Sequence, residues 1–314
     1  MLNRRTVLAA LGATATPAAF TSIARAQAWR AQVPEIVLAV VPAENASGVT
    51  ERYAPFTAYL SRELATKVTL RIANDYAAVI EGQRSGNIHI GVHGPASFAR
   101  ARLNGVKVDA FAIDVNNDGT KGYYSVFYSL AKSPFQKIED LKGKNLGLVD
   151  PNSASGYNMP MFALDKNGIP DAGKYFGRVQ NTGSHENAVI ALVQGTVDVA
   201  ANWWNNDDDS NLLRMINKGM LKNADGSAMK YSDFRIVLKS PLIINSPTTY
   251  LSTLPEELKA AIRTAFLEAH VKDKVAFDRL SDGKNRPWDA VDNAAYDDTI
   301  KLIQFVDALR KRSS

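Results

Sequence analysis

Cysteine is absent from this 314-residue sequence. That excludes thiol nucleophiles, thiolate-held metals and disulfides, and it fits an oxidising compartment entered without disulfide support. Histidine is nearly as scarce, at four residues. Two of them lie on one side of a strand in Ile88-His89-Ile90-Gly91-Val92-His93, but no His-Glu-x-x-His pattern or carboxylate cluster accompanies them, so no metal is expected. There is no Gly-x-Ser-x-Gly elbow, no Walker loop and no Gly-x-Gly-x-x-Gly, so no cofactor is expected either. Beyond the first 28 residues no stretch is long and apolar enough to span a bilayer.

An excess of one charge is lacking too. The formal charge of +5 includes Arg4, Arg5 and Arg25, which lie in an opening segment free of acids. Without them 34 basic residues face 32 acidic ones, and apart from Asp207–Asp209 the signs are interspersed. Neither a nucleic-acid groove nor a polybasic membrane patch is expected. Residues 1–28 read as a cleaved export signal. A basic start, the apolar Thr6–Ile23 and the small-x-small Ala26-Gln27-Ala28 place cleavage after about Ala28. The arginine pair fits twin-arginine export and a general secretory signal about equally. The mature chain is expected to be periplasmic and soluble.

Short strands alternate with helices through what remains. Glu35–Val41 is apolar throughout, as in a strand covered on both faces, and Tyr53–Leu64 carries Phe56, Leu60 and Leu64 at helical spacing. Strands are expected at Val68–Ile72, Ile88–Val92 and Val106–Ile113, with a helix at Asp75–Gln83. A second series runs through strands Tyr123–Leu130, Asn145–Val149 and Val197–Ala201, with helices Ser155–Lys166 and Ser184–Val193. The alternation implies βαβ units and two α/β lobes, each a mostly parallel sheet flanked by helices. Crossings near Asn116–Gly122 and Ser240–Pro247 divide the chain into lobe 1 (29–120 plus 245–314) and lobe 2 (121–244). A hinged cleft for a small ligand lies between such lobes, at the carboxyl ends of strands.

Asp150-Pro151-Asn152-Ser153-Ala154-Ser155-Gly156-Tyr157 is the richest candidate. Two hydroxyls, free first-turn amides and a helix's positive end suit an oxyanion, and Gly156 would let a ligand approach the backbone. Taken alone, the stretch reads more readily as a plain helix cap. Gly183-Ser184-His185-Glu186 repeats the arrangement, with His185 as a donor. Tyr123 lies at the crossing, where a phenol can reach the cleft. Asn202-Trp203-Trp204-Asn205-Asn206 follows a strand and serves equally as a pocket wall or a core plug. A binding site lacking nucleophile, base and metal is expected, not an enzyme.

These motifs, with Asn74-Asp75-Tyr76-Ala77-Ala78-Val79 and Lys239-Ser240-Pro241-Leu242-Ile243, resemble the periplasmic phosphonate-binding proteins of ABC importers, the family covering phosphate, phosphite and phosphonate. The resemblance implies a two-lobed type II periplasmic-binding-protein fold with two hinge crossings. It also implies a phosphorus oxyanion as ligand and an inner-membrane ABC permease as partner. By position it makes Ser153, the amides of Ala154 and Ser155, and His185 the clamp, with Tyr76 and Tyr123 closing on the same group. Asn202, Trp203 and Asn205 would meet the substituent, with His93, Trp204 and Asp207 as further candidates. Family members often carry threonine where Ala154 stands. The carboxylates that meet an ammonium in aminoalkylphosphonate binders are replaced by Asn205 and Ser246, which puts 2-aminoethylphosphonate in doubt. The chain also ends soon after Leu309, so dimerisation through longer C-terminal helices is not expected and a monomer is. Readings that remain open are a sulfonate or sulfate binder and an exported phosphoester or phosphonate hydrolase.

Overall fold

The structure, a computed structural model, describes residues 29–313. The expected export signal, residues 1–28, lies outside them. Within the segment up to Pro34, the Val33 N–H closes a helical turn onto the Trp29 carbonyl at 2.8 Å.

From Glu35 onward the chain builds two six-stranded sheets with helices against them. The first sheet contains β1 (Glu35–Val40), β2 (Lys67–Ile72), β3 (Ile90–Val92) and β4 (Val108–Asn116). The second contains β5 (Gly122–Leu130), β6 (Asn145–Leu148), β7 (Arg178–Asn181), β8 (Val199–Asn206), β9 (Asp209–Ser210) and β10 (Phe234–Ile244). β11 (Pro247–Leu251) and β12 (Asn285–Ala290) return to the first. Strand orders are β12-β4-β11-β3-β1-β2 and β10-β5-β8-β6-β7, with β9 paired to β8.

The sheets are mixed rather than mostly parallel. Strands joined by helical crossovers pair parallel: β1 with β2 and β3, and β6 with β7 and β8. Strands beside the crossings pair antiparallel: β11 with β3 and β4, and β5 with β8 and β10. A chain that leaves one sheet directly for the other enters and returns without a helical crossover, and only a crossover restores the parallel sense.

The two crossings are tied side by side. Asn116 Nδ2 donates to the Gly122 carbonyl at 2.8 Å and to Thr120 Oγ1 at 2.9 Å. Asn245 Nδ2 donates to the Asp114 carbonyl at 2.9 Å, and the Asn245 N–H donates to the Lys121 carbonyl at 2.9 Å. Both asparagines are buried, so these bonds satisfy backbone groups that water does not reach.

Both sheets carry buried apolar side chains, and one cluster joins Ala39, Val79 and Ile88 of the first side to Val126, Val149 and Val189 of the second. Ile36, Leu38, Phe56, Leu60, Phe111 and Phe266 have almost no exposure on the first side, as do Phe127, Leu146, Leu148, Leu164 and Val199 on the second. The helix Ala46–Leu64 begins seven residues before the expected Tyr53, capped by Asn45 Oδ1 on the Gly48 N–H at 2.9 Å. Among the described residues no helix is long and apolar enough to cross a membrane.

Candidate functional site

A cavity of about 230 Å³ opens between the ends of the two sheets. One end of its wall is the Asp150–Tyr157 segment. β6 stops at Leu148 and the chain turns into a wide π-helical turn, Ala154–Asn158, continued by the helix Met159–Lys166. Ser153 Oγ accepts from the Gly156 N–H at 3.0 Å, so the hydroxyl is a helix cap. It also lines the cavity with Ala154 and Ser155, because an accepting oxygen keeps its own O–H to donate. Cap and candidate grip are therefore one group.

The carbonyls of this turn are drawn away from the cavity. Asn158 Nδ2 donates to the Pro151 and Ser153 carbonyls at 2.9 and 2.8 Å, and Ser125 Oγ donates to the Ser155 carbonyl at 2.7 Å. The first-turn amides of Ala154 and Ser155 lack intrahelical acceptors by construction. Gly156 plays a different part from the expected one. A Cβ there would meet Val149 Cβ at 2.3 Å, so the glycine serves close packing of the turn on β6's end, not ligand approach.

His185 opens the helix His185–Val193, capped by Ser184 Oγ on the Asn187 N–H at 3.1 Å. Its Nε2 lies 3.5 Å from Ser153 Oγ, and its buried Nδ1 has no protein partner. Burial pushes its pKa down to about 3, so the ring is neutral at ordinary pH. The His185 N–H reaches across to the Ala43 carbonyl at 3.1 Å, and the neighbouring Glu186 carboxylate accepts from the Asn45 N–H and Nδ2, each at 2.8 Å. These bonds join the first sheet's loops to the second sheet's helix.

Tyr76 follows the cap Asp75, whose Oδ1 accepts from the Ala78 N–H at 2.7 Å. Its phenol lies beside Ser153, and that of Tyr123 beside Ser155; burial raises both phenol pKa values. Ser153, Ser155, His185, Tyr76 and Tyr123 thus meet at one end of the cavity, a set of neutral donors. His93 also lines it, but its Nε2 is taken by Gln83 Oε1 at 2.7 Å and its Nδ1 by Ser97 Oγ at 3.0 Å. It offers the cavity ring carbon and no N–H.

β8 runs on to Asn206, so the two tryptophans lie within the strand and not in a loop after it. Successive side chains then face opposite sides. Trp203 and Asn205 line the cavity. Trp204 faces away, with Lys239 Nζ above it at 4.1 Å and above Tyr124 at 3.8 Å. Asn202 is also off the wall: its Nδ2 donates to the His185 carbonyl at 2.9 Å, positioning that residue from behind. The acidic run divides at a turn. Asp207 and Asp208 are exposed, whereas Asp209 is buried against Arg214 at 2.9 Å and Asn205 Nδ2 at 2.6 Å.

Residues outside the sequence-derived set complete the other end: Arg52, Tyr53, Asp114, Arg214 and Trp288. Asp114 carried a legible signal, being a carboxylate that follows the apolar run 110–113 near the carboxyl end of a strand. The others carried none, since their approach depends on helix packing. Among the described residues no group of three or more histidine and carboxylate side chains is placed to hold a metal.

A family model described as the phosphonate periplasmic substrate-binding protein of ABC transporters matches residues 38–296. The chain belongs to this family. A phosphate-import protein of Mycolicibacterium smegmatis is 30% identical over 247 residues, covering 76% of this chain and 73% of the relative. A phosphonates-binding periplasmic protein of Escherichia coli is 30% identical over 250 residues, covering 77% and 68%. Among solved structures, the binding protein of an ABC phosphonate transporter from Pseudomonas aeruginosa superposes with a TM-score of 0.73 at 26% identity, covering 89% of this chain and 87% of the other. The family is one of periplasmic transporter components that bind a substrate, and its fold is the two-lobed type II binding-protein fold.

Proposed function

We propose that this chain captures a phosphonate through Ser153, the Ala154 and Ser155 amides, His185, Tyr76 and Tyr123, and hands it to an inner-membrane ABC permease. The observation that carries the reading is the meeting of these neutral donors, contributed by both sheets, at one end of a single cavity. Donors held by helix starts and strand ends need little reorganisation to take a tetrahedral oxyanion. Phosphonate is favoured over phosphate because the cavity continues past the donors to an aromatic wall, where a bare phosphate has nothing to place. Lobe 1 (29–120 plus 245–314) and lobe 2 (121–244) would close on the ligand by rotation about the tied crossings. Export with cleavage after about Ala28 and a monomeric working state belong to the same proposal.

Binding rather than hydrolysis is supported by the state of the Ser153–His185 pair in the cavity. His185 Nδ1 has no carboxylate behind it, and a ring whose pKa is near 3 is a weak base at neutral pH.

Isothermal titration calorimetry with methylphosphonate, phosphite, phosphate, sulfate and ethanesulfonate tests the reading. Micromolar or tighter binding of methylphosphonate is expected; heat with sulfonate or sulfate alone would move the assignment to a sulfur ligand. Ser153→Ala should weaken every phosphonate by roughly ten-fold, the worth of one hydrogen bond to a charged group. Trp203→Ala is expected to redistribute affinity among alkylphosphonates of different length while leaving the shortest nearly unchanged. A uniform loss across that series would contradict the assignment of Trp203 to the substituent.

A further inference from the structure

Three groups from the second sheet's side converge on one loop of the first. Residues 43–45 lead from the end of β1 to the helix Ala46–Leu64. The His185 N–H donates to the Ala43 carbonyl at 3.1 Å. Lys218 Nζ lies 3.8 Å from Glu44 Oε2. Glu186 Oε2 accepts from the Asn45 N–H and from Asn45 Nδ2, each at 2.8 Å. Consecutive residues of the loop are thus bonded to three different residues across the cleft.

Glu186 is the buried member, 3% exposed, and among the described residues its hydrogen-bond donors are the two of Asn45. It lies in the first turn of the helix His185–Val193, and Asn45 is the N-cap of Ala46–Leu64. Two helix N-termini therefore meet across the cleft, and their positive ends would repel without an anion between them. The Glu186 carboxylate is that anion. Separating the two sides returns it to water; bringing them together buries it, which is tolerable only while both Asn45 donors hold it.

Asparagine suits its position on both sides of the cleft. Its Oδ1 accepts from the Gly48 N–H at 2.9 Å and from Ser47 Oγ at 2.7 Å, while its Nδ2 donates to Glu186. One amide starts a helix of the first side with its oxygen and holds the second side with its nitrogen. Aspartate would cap the helix as well but would turn an acceptor towards Glu186. Neither Asn45 nor Glu186 lines the cavity, whereas their neighbours Ala43, Glu44 and His185 do. We infer that Asn45 and Glu186 form the latch that holds the two lobes closed, with Glu186 a positioning residue for the ligand-binding His185 beside it. The inference rests on the lobe closure proposed above. Because the latch stands outside the cavity, it adds the same increment of affinity to every ligand, in contrast to the wall at Trp203.

Exchanging donor and acceptor tests the latch, by calorimetry on the mature protein with methylphosphonate and phosphite. Asn45→Asp keeps the oxygen that caps Gly48 and sets a second carboxylate against Glu186. It should weaken both ligands by about ten-fold or more, and by equal factors. Glu186→Gln alone keeps an oxygen for both Asn45 donors and should stay within about three-fold of wild type. Combining the two substitutions again sets a donor against an acceptor, so affinity should return to within about three-fold of wild type. A folding defect in Asn45→Asp would show no such rescue. Small-angle X-ray scattering of the ligand-free proteins gives a second reading: Asn45→Asp should have a larger radius of gyration than the double variant. Unchanged affinity in Asn45→Asp, a loss confined to one ligand, or a double variant as weak as Asn45→Asp would overturn the inference. Absence of heat with both ligands in wild type would instead remove the phosphonate reading. The scattering comparison would then still decide the latch, equal radii refuting it.

Discussion

Gly156→Ala is expected to cost about 2–3 kcal/mol of stability and to abolish measurable phosphonate binding, although it adds one methyl group. The new Cβ would lie 2.3 Å from Val149 Cβ, 2.4 Å from Val149 Cγ2 and 2.8 Å from Ser153 Oγ. Val149 is fully buried and cannot retreat, because its N–H is bonded to the Gly156 carbonyl at 2.8 Å. The turn must therefore move, and the Ser153 hydroxyl with the Ala154 and Ser155 amides moves with it. Melting within about 2 °C of wild type, or methylphosphonate affinity within about three-fold, would show that the turn absorbs the methyl and that the grip is not packed as described.

Acidification from pH 7 to pH 5 is expected to remove about 2 kcal/mol of folding stability, through two buried histidines. His93 and His185 both have folded pKa values near 3, lowered by burial from an ordinary value of 6.5. Below about pH 6.5 the unfolded chain takes up protons at these sites and the folded chain does not, so stability falls as pH falls, by up to about 1.4 kcal/mol per pH unit for each. Asp114 works the other way. Its folded pKa near 6 lies above the ordinary 3.8, so between these values the folded state holds the extra proton and gains stability on acidification. Two histidines against one carboxyl leave a net loss. Urea midpoints followed by tryptophan fluorescence at pH 7, 6 and 5 measure it. His93→Gln, which can still bond Gln83 and Ser97, should remove most of the net loss, because Asp114 then offsets most of what the remaining histidine contributes. A pH-independent midpoint in wild type would refute the neutral, buried state of both rings.

Neutral histidines suit the site as well as the fold. A grip of neutral donors takes an anion without a fixed counter-charge. The bonds from the His185 N–H to the Ala43 carbonyl and from Asn45 to the Glu186 carboxylate place cross-cleft contacts beside the donors. Ser153 joins the same economy of parts: the hydroxyl that caps the helix is a hydroxyl that lines the cavity.

Much of this was legible from local sequence. Strand–helix alternation with breaks near Asn116–Gly122 and Ser240–Pro247 determined two α/β lobes with two crossings, because periodicity and turn chemistry act over a few residues. Local chemistry also marked Ser153, Ser155, His185 and Tyr123, since helix starts expose their amides wherever they stand, while Tyr76 emerged from the family resemblance. Tertiary structure alone decided the sense of strand pairing, which depends on where the crossings enter each sheet. It decided that β8 extends through Asn206, so alternation sends Trp203 to the cavity and Trp204 to the other face. It decided that Gly156 answers to Val149 and not to a ligand. Above all, it brought Asp114 of β4 and Trp288 of β12 to the end of the cavity opposite the hydroxyls. That meeting joins residues 174 positions apart, through the pairing of β12 with β4 and the packing behind them, and no pattern within a short window encodes it.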